Sequence, residues 1–113
     1  MGEIKMDDMI MESKKLNQMI KSSKEYRDYV HALNSIRSNE DLHRALVDFK
    51  NRYADALKYT EGNPYDELNR MYSENDELLH NSVVSEYLRA ESAFSKLVKT
   101  VIDEVSNGIV VGV

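Results

Sequence analysis

The chain has 113 residues, a length that suits one domain and is too short for two ordinary hydrophobic cores. Its 15 Lys and Arg against 20 Asp and Glu give a net charge of -5, so no global positive field draws it to nucleic acid. Zero Cys excludes disulfides, thiolate nucleophiles, thiolate zinc sites and any cysteine-ligated iron-sulfur cluster carried by this chain alone.

No apolar run approaches the roughly 20 residues that a bilayer crossing needs. The start, Met1-Gly2-Glu3-Ile4-Lys5-Met6-Asp7-Asp8, lacks the basic end, apolar stretch and cleavage site of a signal peptide. A cytoplasmic location is the resulting expectation, with no membrane span and no direct contact with nucleic acid.

Glycine and proline punctuate the sequence, and residues 3–61 contain neither. Within that stretch apolar residues recur at three and four, which predicts helix rather than strand. The first helix is expected over about residues 6–21, with Met6, Met9, Ile10, Leu16, Met19 and Ile20 on one stripe. Ser22-Ser23-Lys24-Glu25 then resembles a capping box, in which a Ser oxygen accepts from an N3 amide and Glu25 reaches back. The second helix runs to about Arg37, with Tyr26, Tyr29, Val30, Leu33 and Ile36 inward. Ser38-Asn39-Glu40-Asp41 supplies the next cap and an acidic first turn.

The third helix is expected over roughly 39–60, about 33 Å long, on a stripe of Leu42, Ala45, Leu46, Phe49, Tyr53, Ala56 and Leu57. Thr60-Glu61-Gly62-Asn63-Pro64 stops it and starts the next: Gly62 suits a left-handed C-terminal position, Asn63 caps, and Pro64 fits the first helical position. The fourth helix uses Leu68, Met71, Tyr72, Leu78 and Leu79, with Asn75 in the stripe as a candidate register-setting polar residue. Asn81-Ser82 opens a fifth helix whose apolar residues, from Val84 to Val105, cover nearly half its circumference. So wide a stripe implies several neighbours or a partner subunit, and marks Leu97 and Val101 as contact candidates. Asn107-Gly108 ends it, leaving residues 107–113 as an apolar tail, docked or disordered.

Short connections favour antiparallel neighbours, so the expected fold is all-α: one domain over residues 1–113, an antiparallel bundle of about five helices, three of them long. Narrow stripes on an acidic, elongated chain would leave apolar edges in a monomer, which points to a dimer.

Two Glu-x-x-His motifs, Glu40 to His43 and Glu77 to His80, are half of a di-iron carboxylate set, and a metal-binding bundle is the alternative reading. The helical wheel opposes it. At 100° per residue, Glu40 and His43 lie about 160° and 100° from Leu42, and Glu77 and His80 about 180° and 120° from Leu68, outside the core stripes. Glu91 is the one further carboxylate near a stripe centre, which leaves a fourth ligand missing; neither metal nor cofactor is expected. His31 has no Ser, Cys or carboxylate at a spacing that would make it a catalytic base, and no glycine-rich phosphate loop exists. No catalytic residue is assigned and the chain is read as a non-enzyme. A secreted helical hairpin of this length would carry a Trp-x-Gly turn, whereas this turn reads Gly62-Asn63-Pro64.

Seven Tyr stand against two Phe and no Trp, a set suited to bundle margins and interfaces. Tyr26, Tyr29, Tyr53, Tyr72 and Tyr87 fall on core stripes. Tyr59 and Tyr65 flank the central turn and are the candidate partner contacts.

The segments Ser22-Ser23-Lys24-Glu25-Tyr26, Ser38-Asn39-Glu40-Asp41-Leu42 with Phe49 and Tyr53, and Asn81 through Glu91 together resemble the YlbF/YmcA family of bacteria. The resemblance covers about residues 6–106, and Asn81 to Glu91 is its most characteristic part; Ser82 stands where many relatives have Pro. It implies an all-helical, non-enzymatic regulatory protein, dimeric or assembled with related subunits. Members act as accessory factors in competence, sporulation, biofilm development and RNase Y-dependent mRNA processing. Some family complexes carry iron-sulfur clusters, for which this chain supplies no thiolate.

Overall fold

The structure is a computed structural model that describes residues 2–59, 61–110 and 112. Among the described residues it is all helix: α1 (Met6–Lys21), α2 (Lys24–Arg37), α3 (Glu40–Tyr59), α4 (Pro64–Glu74), α5 (Asp76–Leu79) and α6 (Ser82–Ser106). Thr60, the expected last residue of the third helix, lies outside the described residues, as do Val111 and Val113 of the tail.

Each helix begins where the sequence supplies an acceptor for its unpaired amides. The Lys5 amide donates to Asp8 Oδ2 at 3.0 Å, and Ser23 Oγ accepts from the Tyr26 amide at 3.1 Å. With Ser23 as the cap, Glu25 stands at N2, one residue short of the position from which a capping box closes. Asn39 Oδ1 accepts from the Leu42 amide at 3.1 Å, Asn63 Oδ1 from Tyr65 at 3.0 Å, and Asn81 Oδ1 from Val83 at 2.9 Å and Val84 at 3.2 Å. Gly62 has φ +85° and Gly108 φ +80°, the left-handed conformations that end α3 and α6 without a Cβ clash.

One expected helix is two. Asn75 ends α4 and precedes the single turn of α5. Its Nδ2 donates to the Met71 carbonyl at 2.7 Å and its Oδ1 accepts from Arg52 Nη2 at 3.3 Å. A short amide that competes for backbone groups favours a helix end over a helix interior. The apolar spacing continues through the break, which hides it from a periodicity reading.

The chain divides into two compact units, Met1–Val30 with Ala90–Val113, and His31–Arg89. The second holds the core. Phe49 and Ala56 of α3 pack with Leu68 and Met71 of α4, flanked by Tyr53, Leu78 and Leu79. The chain reverses through 61–63, so α3 and α4 are antiparallel neighbours. Phe49, Tyr53 and Tyr72 form a triangle of rings with centroids 6.0 to 6.2 Å apart. Ala32, Ile36, Leu46, Val84 and Tyr87 are also buried in this unit, with Ile36 at 1% and Val84 at 0% exposure.

The first unit differs in kind. None of its described residues is buried. Its best-packed feature is Phe94 of α6, whose centroid lies 5.4 Å from both Tyr29, stacked at 13°, and Tyr26, tilted at 54°. Leu16, Ile20, Leu97, Val98 and Val101 are half-buried.

Candidate interaction surface

α1 repeats apolar residues at helical spacing and buries none of them. Met6 is 70% exposed, Met9 56%, Ile10 44% and Met19 68%. The expected inward stripe is therefore uncovered, apart from the half-buried Leu16 and Ile20. Ile102 and Val105 at the end of α6 are exposed as well, and so are Ile109 and Val110 of the tail. A helix of this length is marginal in water without tertiary packing, and contiguous apolar surface on a soluble chain marks an interaction site. Methionine, with three rotatable bonds and a polarizable sulfur, suits such an adaptable contact.

Charge is sorted along this surface. Asp7, Asp8 and Glu12 occupy the first half of α1; Lys14, Lys15 and Lys21 occupy the second. Each end complements the helix dipole. Glu12 and Lys15 pair at 2.9 Å with side chains 70% and 64% exposed, so both remain available to a neighbour.

The second unit offers a shallower feature. Tyr59 and Tyr65 are exposed, as expected of partner contacts. Tyr59 lines an open groove with Arg52, Asp55, Arg70 and Glu74 over a floor of Ala56 and Met71. Arg70 is held by Glu67 and by Glu74 at 2.8 Å, and these carboxylates push its guanidinium pKa further up. Arg52 Nε lies 3.1 Å from Asp48. These ion pairs close on their own helices and add little stability at this exposure.

The model of the family described as control of competence regulator ComK, YlbF/YmcA matches residues 9–110, nearly the whole chain. The chain belongs to the YlbF/YmcA family. No curated protein and no solved structure matches it. The YlbF/YmcA family is a regulatory one, and no helix among the described residues is long and apolar enough to cross a membrane.

In this YlbF/YmcA chain the two Glu-x-x-His motifs do not converge. Glu40, Glu77 and His80 are exposed and His43 is half-buried. His80 Nδ1 lies 3.0 Å from the Asp76 carboxylate, one turn back on its own chain. Among the described residues no three His, Cys, Asp or Glu gather as a metal would require. His31 is exposed and Glu91 half-buried. Leu97 and Val101 are half-buried in the first unit, while Tyr59 and Tyr65 belong to the second. The methionine face of α1 was not among the expected contacts, because an amphipathic stripe announces a buried face without saying what buries it.

Proposed function

We propose that this YlbF/YmcA-family chain is a non-enzymatic regulatory adaptor that works through protein-protein contacts made by the uncovered face of its first unit. One observation carries the reading: α1 has the apolar face of a packed helix and no buried residue. Burying Met6, Met9, Ile10 and Met19 against a protein would contribute roughly 25 cal/mol per Å² of apolar surface removed from water. Nothing in their own unit contributes that burial.

The first partner in this reading is a second copy of the chain or a related subunit. Leu97 and Val101 extend the contact in the first unit, and Tyr59 and Tyr65 offer a further exposed aromatic contact in the second. Family likeness extends the role to bacterial developmental regulation and RNA-processing machinery in the cytoplasm, reached through proteins rather than by direct RNA contact, in keeping with the net charge of -5.

Size-exclusion chromatography with light scattering tests the reading. The expected mass is twice that of the 13.1 kDa chain, falling to the single-chain value when Met6, Met9 and Ile10 are replaced by Lys. A wild-type mass of one chain at all concentrations, unchanged by those substitutions, would refute the dimeric form of the proposal.

A further inference from the structure

The adaptor reading leaves open which way a second copy lies on α1, and the residues on that helix decide it. At 100° per residue, Asp8, Met9, Glu12, Lys15, Leu16 and Met19 fall on one arc of about 120°. Along this arc the acids come first and the base second, with an exposed methionine on either side of Glu12 and Lys15.

Two such arcs side by side in parallel would set Asp8 against Asp8, Glu12 against Glu12 and Lys15 against Lys15, each a like-charge contact. Run antiparallel about a point between Glu12 and Lys15, the same surfaces become complementary. Glu12 of each copy stands opposite Lys15 of the other, and Met9 comes within one residue of the height of the other copy's Met19. The dipoles of the two helices also oppose in this arrangement, which is the favourable sense.

We infer that the uncovered face of α1 is covered by α1 of a second copy, antiparallel about a two-fold axis that passes between Glu12 and Lys15. The pairing is isologous, each helix giving the same patch it receives. It joins the two internal Glu12–Lys15 pairs into a four-charge cluster between layers of methionine. The helix spans about 24 Å at 1.5 Å per residue, so its 16 residues overlap almost fully in this register. This inference rests on the dimeric adaptor reading and adds direction and register to it.

The natural absence of Cys allows single-thiol cross-linking of the full chain. Met9→Cys and Met19→Cys, prepared separately and mixed under mild oxidation, are expected to form a disulfide-linked dimer at least tenfold faster than either variant alone. In parallel helices each variant would instead link to itself, and that result overturns the inference. A wild-type dimer by light scattering with no cross-linking in any mixture overturns the inference and leaves the dimeric reading standing; a monomer overturns both.

Charge reversal gives an independent arm. Glu12→Lys alone and Lys15→Glu alone each set like charges against each other across the axis and are expected to weaken the dimer about tenfold. The double variant restores the pairing and is expected to return to wild-type affinity. Failure of that rescue, with circular dichroism showing all variants folded, would assign the face to a partner other than a second copy.

Discussion

Asn75 Nδ2 donates to the carbonyl of Met71 at 2.7 Å while Asn75 Oδ1 accepts from Arg52 of α3 at 3.3 Å, so a single amide ends α4 and ties it to its neighbour. By intrinsic propensity Ala is a better helix residue than Asn, and an uninterrupted helix would gain from Asn75→Ala. The structure predicts a loss of about 1 kcal/mol, the net worth of a typical hydrogen bond. Urea denaturation with the midpoint compared at fixed slope measures it; a raised midpoint would contradict the account.

Leu68 and Met11 separate the two units by consequence. Leu68 is 6% exposed in the Phe49, Ala56 and Met71 cluster, so Leu68→Ala is expected to cost about 2–5 kcal/mol. Met11, 59% exposed and off the arc of α1 that meets a second copy, should change stability by no more than about 0.5 kcal/mol when replaced by Ala. Equal effects in thermal or chemical unfolding would mean that the core is misplaced.

Asn63 and Pro64 set the start of α4, with the Asn63 side chain on the Tyr65 amide. Asn63→Ala removes that acceptor and is expected to cost about 1 kcal/mol, whereas Asn63→Asp retains it and should be nearly neutral or slightly stabilising at a helix N-terminus. Matched denaturation curves for the two variants separate the cap from a general effect at the turn.

Tyr72 supplies a pH dependence. Its hydroxyl is pushed above the usual tyrosine value of 10.0, first by burial, which disfavours the phenolate, and then by a hydrogen bond shared with Tyr53. Above pH about 10 the unfolded chain has released a proton that the folded protein keeps, so stability falls as pH rises through that window and is unaffected by this group below it. Tyr72→Phe removes the term and is expected to move the alkaline unfolding midpoint upward, read by far-ultraviolet circular dichroism against pH. An unchanged midpoint would contradict the assignment.

The punctuation of the fold is legible in the sequence because its causes are local. Gly62 takes the positive φ, Asn63 caps and Pro64 occupies the first turn as residue type alone requires, and the same holds at Asn39, Asn81 and Gly108. The α3 stripe is legible through Leu46, Phe49 and Ala56, whose three-four spacing coincides with burial. Asn75 is not, because the Leu68, Met71, Leu78 and Leu79 spacing runs on across the break and only the competition of one amide for backbone groups reveals it.

The site was half legible. Tyr59 and Tyr65 beside a tight turn are exposed, as flanking residues of a turn tend to be. The stripe of Met6, Met9, Ile10 and Met19 fits a packed helix equally well whether its cover comes from the same chain or from another. Periodicity fixes the direction of a face and carries no information about its partner, and only the burial of each side chain in the folded unit tells the two apart.

Hydrogen exchange on α1 as a function of protein concentration tests the central claim most directly. If α1 is held by an intermolecular contact, amides over residues 9–21 exchange rapidly in dilute protein and gain protection as concentration rises, while those of α3 in the second unit stay constant. Protection of α1 that is high and independent of concentration would show that the helix is stabilised within its own chain, and would contradict an adaptor built on this face.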